Sequence, residues 1–323
     1  MSDPFLSERR ELAAALEATK GTAIATSAMT DGTNSKFLVL NLKVEPMFDM
    51  HKRAIQSASL SKYPPITGKQ PVKLTFTIEA RATAAAGTAD AWDTLLKGCG
   101  ALDTNVAVTS DTYTPSSDGS DHRTLTMWAW VGSFGAVAES NTAVRVGIKG
   151  AAGTYTYRGK VGETAFYDFE FMGVYNGAVD TSLNSVTHET GTPPIFQGVA
   201  FTYGGASRVL SSLSYSIGNT LTARESVNVA EGILHYAITA RELTGKIDPD
   251  MELVATEAFH AQMVANTAKA LAWSQTKLAY SLPKIYITKV NDENLNGIQK
   301  AGLDFVGARS AVGGEDEWSI VKT

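Results

Sequence analysis

Residues 72–80, Val-Lys-Leu-Thr-Phe-Thr-Ile-Glu-Ala, alternate between apolar and polar at nine successive positions. Successive side chains of a β-strand point to opposite faces, so this pattern predicts a strand with one buried face and one wet face. The apolar members are expected to meet a core, whereas Lys73, Thr75, Thr77 and Glu79 are expected to line the wet face. A strand of this regularity constrains the chain towards a β-rich fold.

Shorter stretches of strand character recur along the chain, and turn residues such as Asn176-Gly177 and Gly204-Gly205 separate them. They predict a mainly β protein with a few helices, an α+β class in which strands dominate. The further predicted strands span residues 37–44, 125–131, 144–148, 166–175, 210–217, 233–238, 284–288 and 303–306.

Few segments are predicted to be helical. Thr88 can cap a helix over residues 89–96, and a second helix is predicted from about Thr256 towards Trp273. Residues 9–20 have a helical composition, but an extended arm is equally compatible because propensity alone is a weak guide. The apolar face of the second helix is formed by Phe259, Met263 and Val264.

The composition argues against several classes of function. Hydrophobic residues make up 44% and charged residues 19% of the 323 residues, which suits a β-rich chain with much surface covered in assemblies. A net charge of −5 argues against wrapping nucleic acid, although DNA passing by without being held stays compatible. The single cysteine, Cys99, is interpreted as a small buried residue. Neither a secretory signal nor a membrane span is predicted.

Internal similarity indicates a duplication. Residues 62–67 resemble 235–239 and residues 72–79 resemble 245–252, and both matches have the same offset, since 236 minus 63 and 252 minus 79 each give 173. Residues 169–174 resemble 303–308 at an offset of 134. The matches predict two related β-rich units in one chain.

This interpretation divides the chain into an N-terminal arm (1–34), a first unit (35–176), a linker (177–207) and a second unit (208–323). In the second unit Pro249 occupies a core-facing strand position. Because proline cannot donate to a ladder, this strand is predicted to lie at an edge, to bulge, or to end there.

No sequence motif of catalysis or cofactor binding is found. The five histidines lie neither at metal-ligand spacing from each other nor beside the cysteine. The acidic run 248–252 could bind calcium or supply paired carboxylates for glycoside cleavage. A solvated strand face is favoured, because threonines stand at the equivalent positions of the first copy and Lys246 shares the face. We therefore predict no catalytic residue, no cofactor and no metal site.

Several stretches, taken in order, resemble the tail tube (major tail) proteins of siphophages. The resemblance covers most of the chain and weakens from Lys269 onward. It rests on Arg10-Glu11-Leu12-Ala13-Ala14-Ala15-Leu16 and the residues up to 22, on 72–80 followed by 86–100, on Tyr113-Thr114-Pro115, on 169–175, and on 238–247.

The resemblance implies two tube-type β-sandwich or barrel units whose strands join a closed ring barrel on assembly. It implies that residues 47–65 and 219–236 are long loops that reach neighbouring rings, and that DNA passes through the lumen. The implied partners are further copies of the chain, a tape-measure protein, and the tail terminator and distal tail proteins. The implied location is the tail tube of a virion assembled in the host cytoplasm, without membrane contact.

A lumen with net negative charge repels phosphates and lets DNA slide. One of the two polar rows is therefore predicted to face the lumen. A two-unit chain is expected to close a ring with three copies in pseudo-six-fold symmetry, the alternative being a hexamer. Other open interpretations are a baseplate or capsid decoration protein, and a carbohydrate-active β-protein. The two polar rows are Lys73, Thr75, Thr77 and Glu79, and Lys246, Asp248, Asp250 and Glu252.

Overall fold

The computed structural model describes residues 4–25, 29, 38–82, 84–134, 142–183, 188 and 191–323. In these residues strands dominate, so the predicted mainly β class is confirmed. The strands are β1 (Phe5–Leu16), β2 (Leu40–Pro46), β3 (Met50–His51), β4 (Ile66–Thr67), β5 (Pro71–Glu79), β6 (Ala101–Val106), β7 (Ser110–Pro115), β8 (Leu125–Ser133), β9 (Ala143–Lys160), β10 (Phe166–Thr181), β11 (Ala200–Tyr203), β12 (Ala206–Ser207), β13 (Leu210–Ser216), β14 (Asn219–Glu225), β15 (Ile233–Arg241), β16 (Thr244–Pro249), β17 (Lys269–Gln275), β18 (Leu278–Leu295), β19 (Ile298–Gly307) and β20 (Ser319–Lys322). The helices are α1 (Asp93–Gly98) and α2 (Phe259–Val264).

Strand β5 follows the predicted alternation except at Thr77, which was expected on the wet face but is 6% exposed and donates a hydrogen bond to Asp168. Val72, Leu74, Phe76 and Ile78 are at most 3% exposed and belong to the main core. Each of the other predicted strands overlaps an observed one, and only the predicted start at Phe37 lies outside the described residues. Period-two alternation and turn residues were therefore sufficient to locate these strands.

The N-terminal segment forms a strand, so the helical alternative for residues 9–20 is wrong. Strand β1 pairs antiparallel with β8, and Ala13 lies opposite Trp128. Leu12 is buried in the main core, whereas Ala13 is buried on the other side beside Trp128 and Trp130. Sheet pairing and burial on both faces outweigh the helical propensity of the alanines. Residues 5–16 thus belong to the sheet of their own chain.

Helix α1 begins at Asp93, later than predicted, and Thr88 does not cap it. The residue at its N-cap position is Trp92, and the helix has no side-chain cap hydrogen bond. The Trp92 ring is buried, and its Nε1 donates a hydrogen bond of 2.7 Å to the Arg81 carbonyl oxygen. Packing of this ring decides where the helix starts.

Helix α2 ends at Val264, so the predicted continuation towards Trp273 is wrong. Trp273 lies in β17 and is buried, whereas Val264 is exposed. Phe259 is buried against Tyr203, with ring centroids 5.9 Å apart. The aromatic contact holds one short turn of helix against the sheet, and the next residues continue as sheet.

Sixteen strands form one sheet within the described part of the chain. Eight of them follow in the order β2-β5-β10-β9-β13-β16-β19-β18, and every neighbouring pair is antiparallel. Strands β8 and β1 extend the sheet from β9, while β17, β11 and β12 continue it from β18. The path has two ends, so the sheet stays open within a single chain.

One continuous core lies against the inner side of this sheet and joins both predicted units. Tyr157 of β9 packs against Tyr280 of β18 with ring centroids 4.9 Å apart, and Tyr280 stacks on Trp273 at 4.8 Å. At the C-terminus β20 pairs with β18 and also with β7 of the first predicted unit. The described halves therefore share a core and a sheet.

The predicted second-unit strand ends at its proline, as one of the alternatives for Pro249 required. The sequence offset of 173 is not reproduced by the strand register. Leu74 of β5 lies opposite Phe171 of β10. Adding 173 to Leu74 gives Ile247 and adding 134 to Phe171 gives Phe305, so the predicted offsets require Ile247 to lie opposite Phe305. Ile247 instead lies opposite Leu303, a difference of two residues.

Candidate functional site

The predicted polar positions of β5 and the first ones of β16 lie on one face of the continuous sheet. Residues directly opposite each other in paired strands project to the same face. We call the surface made by the three following rows the polar face. The rows are Glu79, Phe166, Arg158, Ser214, Lys246, Asp304 and Lys289; Thr77, Asp168, Thr156, Ser216, Thr244, Val306 and Tyr286; and Thr75, Glu170 and Thr154. Lys73 of β5 and Ser212 of β13 lie two residues beyond Thr75 and Ser214 and extend the polar face at its margins.

The reverse side of the same strands is the core. Phe76, Phe169, Tyr155 and Tyr215 alternate with members of the polar face and are buried. Because the side-chain period of a strand is two, the strands contribute mostly hydroxyls and charges to one side and rings to the other, with Phe166, Tyr286 and Val306 as apolar members of the polar face. The sheet is thus a wall with an apolar back and a hydrophilic front.

Several cations of the polar face are paired with carboxylates. These ion pairs are partly exposed and contribute little to stability. They do neutralise the cations, and the hydrogen bond to Glu293 raises the pKa of the Lys246 ammonium. The nitrogen–oxygen distances are 2.8 Å for Lys73–Glu170, 2.7 Å for Arg158–Asp168 and 2.6 Å for Lys246–Glu293.

Hydroxyl groups fill the space between these ion pairs. Shallow open grooves of about 300, 210 and 350 Å³ follow one another across the polar face. Threonines of β5 and β9 line the first groove, and serines of β13 line the other two. Hydroxyls and paired charges present a hydrated surface with few unpaired cations.

Of the predicted second row, Lys246 and Asp248 lie within β16 and share one face, whereas Asp250 and Glu252 do not belong to the strand. Asp248 follows Lys246 on β16 and accepts hydrogen bonds from the backbone nitrogens of Ser211 and Ser212, at the register shift of β13. Asp250 and Glu252 lie beyond the end of β16, where proline stops the strand. There Asp250 pairs with Lys300 at 2.5 Å, and Glu252 pairs with Arg208 at 2.5 Å.

The prediction missed most members of the polar face. Ser212, Ser214 and Ser216 alternate along β13, and Asp168 and Glu170 alternate along β10. The same alternation that identified β5 marks these positions in the sequence. Their grouping on one face depends on the strand register, and the sequence of a single strand does not specify how that strand is aligned with its neighbours.

Residues considered for chemistry lie elsewhere. Cys99 is buried, and burial raises the pKa of its thiol. Across the described ranges, no group of three or more His, Cys, Asp or Glu side chains is placed to hold a metal ion. In the same part of the chain, no helix has both the length and the apolarity to cross a membrane.

Comparison of the chain with protein-family models and with curated proteins gave no match. The surface is therefore interpreted from its own geometry.

Proposed function

We propose that this chain is the structural protein of a bacteriophage tail tube, and that its polar face lines the lumen through which DNA passes. The observation that carries the proposal is the eight-stranded antiparallel wall, which is apolar behind and hydrophilic in front. A wall of this kind becomes a tube when its ends meet copies of itself. Closure removes the exposed edges that otherwise promote aggregation.

Two edges of the wall are available for closure. Strand β2 pairs with β5 alone, and residues 286–295 of β18 pair with β19 alone, among the described residues. Eight is an even number, so a β2 edge and a β18 edge of successive copies run antiparallel, like every other pair in the wall. Main-chain hydrogen bonds across that junction would give a closed ring.

Matching strand pairs support a duplicated tube unit. Subtracting 171 from Ser214–Lys246 and Tyr215–Gly245 of β13–β16 gives Lys43–Thr75 and Val44–Leu74 of β2–β5, which are paired in the same way. Strands β9 and β10 correspond to β18 and β19 with an offset of 134. Adding 134 to the β10 member and 171 to the β5 member of a β10–β5 pair gives a pair of β19 with β16. The order β2-β5-β10-β9 thus recurs as β13-β16-β19-β18.

This equivalence also defines the junction between copies. In the chain, the first unit ends on β9, which pairs with β13 and puts Arg158 opposite Ser214. With the same offsets, Ser214 corresponds to Lys43 of β2 and Arg158 corresponds to Asp292 of β18. A junction of the same kind between two copies therefore places Lys43 of one copy beside Asp292 and Glu293 of the other. The charges are of opposite sign, which favours this register.

With two units per chain, three copies close one ring with pseudo-six-fold symmetry, and stacked rings form the tube. The paired charges and hydroxyls of the polar face offer DNA phosphates few unpaired cations, so the polymer slides without being held. A tape-measure protein inside the tube, and terminator and distal tail proteins at its ends, are the further proposed partners. The tube is assembled in the host cytoplasm and becomes part of the virion.

Electron microscopy of the purified protein at high concentration tests this function. We expect tubes with a regular axial repeat and three chains in each ring. A protein that stays monomeric at high concentration contradicts the tube assignment, and six chains in each ring contradict the two-unit closure.

A further inference from the structure

The hairpin β14–β15 folds back over one end of the polar face. Its Ile233 and Tyr236 are 2% and 6% exposed and pack in one cluster with Ala152 of β9 and Val174 of β10. Leu221 and Met172 complete the cluster from either side. The hydrophilic wall therefore ends in an apolar patch, and a hairpin of the same chain covers that patch.

The first unit carries a similar hairpin. Its base contacts its own chain, where the Phe48 ring lies 5.2 Å from that of Tyr175, the Gln70 amide donates to the Glu231 carbonyl oxygen and Lys69 pairs with Glu225. We call residues 47–70, which include β3 and β4, the arm. All residues from 49 to 67 are exposed. They include apolar side chains that a single chain leaves in water: Met50 is 53%, Leu60 105% and Ile66 55% exposed.

The arm and the β14–β15 hairpin have the same internal register. Met50 pairs with Thr67 in the arm, and adding 171 to both gives Leu221 and Ile238, which pair in the hairpin. The neighbouring pair His51–Ile66 corresponds in the same way to Thr222–Ala237. Met50, which is exposed, therefore corresponds to Leu221, which packs on the sheet.

The surface beneath the hairpin also has a counterpart. Adding 134 to Ala152, Met172 and Val174 gives Tyr286, Val306 and Ala308. Tyr286 lies opposite Val306, as Ala152 lies opposite Met172. All three counterparts are only half-buried, so this apolar patch at the end of the polar face is incompletely covered.

We infer that the arm of one copy seats on Tyr286, Val306 and Ala308 of the next copy in the same ring. The contact within one chain shows the arrangement that we expect between copies. The hairpin β14–β15 follows β13, β13 pairs with β9, and the hairpin packs on β9 and β10. The arm follows β2, which at the proposed junction neighbours β18, and so reaches β18 and β19 of that copy. The inference rests on the proposed ring and refines the arm's contact from a neighbouring ring to a neighbour within the ring.

Photo-crosslinking of the full chain tests this seat. Met50 is replaced with p-benzoylphenylalanine, the assembled protein is irradiated, and linked peptides are mapped by mass spectrometry. We expect links to residues 286–308 of another chain, in a ladder that stops at three chains. The matched probe replaces Val161, which is 54% exposed and lies outside the arm, and should give no link to that segment.

Two results would overturn the seat while leaving the proposed function intact. In the first, rings and tubes are seen but position 50 links to other segments. In the second, the ladder runs past three chains, which places the arm on the next ring. Micrographs of the same sample report on the proposed function separately, since a protein that forms neither rings nor tubes contradicts both proposals.

Discussion

The ammonium of Lys322 lies 3.1 Å from the carboxylate of Asp90, and both side chains are fully buried. The carboxylate of Asp111 is 3.7 Å from the same nitrogen and is also fully buried. Lys322 further donates to the Thr88 carbonyl oxygen. Lys322 belongs to β20 and Asp111 to β7, so one buried ion cluster ties the C-terminal strand to the first half of the chain.

Replacing Lys322 with Met should lower the free energy of unfolding by about 3–5 kcal/mol, because two carboxylates are then buried without their cation. Urea unfolding followed by tryptophan fluorescence measures the loss. Adding Asp90→Asn and Asp111→Asn should recover much of it. Lys160→Met, which removes an exposed ion pair with Glu163, is the control, and an equal loss in both variants contradicts the role of the cluster.

Another buried carboxylate, that of Glu17, lies directly after the end of β1. Glu17 is 2% exposed and accepts four hydrogen bonds, two of them from the backbone nitrogens of Gly21 and Gly150 at 2.7 and 2.8 Å. The hydroxyls of Thr124 and Thr126 donate the other two at 2.6 and 2.9 Å. The carboxylate thus joins the N-terminal strand to β8 and β9.

Glu17→Ala should cost about 1–3 kcal/mol of unfolding free energy for each buried donor that stays unpaired. Hydrogen exchange of the Gly150 amide measures the local effect, because this proton loses its acceptor. The exposed Glu163→Ala serves as the control. Unchanged protection at Gly150 would show that the carboxylate does not hold the strands together.

The β14–β15 hairpin is expected to loosen in acid. His235 is 5% exposed, and burial lowers its pKa, with Arg224 and Lys20 acting in the same direction. A base with a lowered pKa in the folded state binds fewer protons than in the unfolded state. The stability contribution is therefore present above the unfolded value of 6.5 and is lost as pH falls below it.

Hydrogen exchange of the hairpin amides at pH 7.5 and 5.5 measures this effect, and His235→Gln should reduce the difference between the two pH values. His51→Gln changes an exposed histidine in the arm and should leave the difference in place. The attribution fails if the two variants behave alike.

Freeing cations on the polar face should make assembled tubes bind DNA. Glu170→Gln with Glu293→Gln removes the partners of Lys73 and Lys246, and unpaired lysines attract phosphates. We expect a several-fold gain in affinity for double-stranded DNA that salt abolishes, measured by gel mobility shift. The control is Glu225→Gln, which removes the ion-pair partner of Lys69 in the arm. An equal gain in DNA affinity in this control contradicts the assignment of the polar face to the lumen.

A charge swap tests the junction between copies. Lys43→Glu should place two acidic groups side by side at the proposed β2–β18 contact and should suppress ring formation in light-scattering measurements. Adding Glu293→Lys should restore it, whereas Lys277→Glu, the same change away from either edge, should have no effect. Rings that form equally well in Lys43→Glu exclude this register.

The sequence predicted the strands better than the other elements, for a physical reason. Burial of alternate residues needs only the local period, so β5 and its core residues could be read directly. Residues 9–20 were ambiguous because their alanines favour helix, and only pairing with β8 decides for a strand. The start of α1 was misplaced because a buried Trp92 ring, packed by distant residues, delays it.

The residues of the polar face were likewise predicted correctly where local alternation was sufficient, and incorrectly where the end of a strand had to be known. Lys73, Thr75, Thr77, Glu79 and Lys246 were found from alternation, and they do lie on one face. Asp250 and Glu252 were included because the acidic run continues past Pro249, but the strand ends there and ion pairs with Lys300 and Arg208 hold them. The predicted offset of 173 is not reproduced by the strand register, which differs from it by two residues. Short sequence matches tolerate a slip of two residues, because such a slip keeps the alternation in phase.

The sequence by itself determined the class of the fold and the buried face of strands such as β5, because these depend on neighbours along the chain. Only the tertiary structure decided which strands pair, and in which register. That step joins Thr77, Asp168, Thr156 and Ser216 into one row of the polar face. Register is a relation between distant segments, set by the aromatic core behind the sheet, and no local pattern contains it.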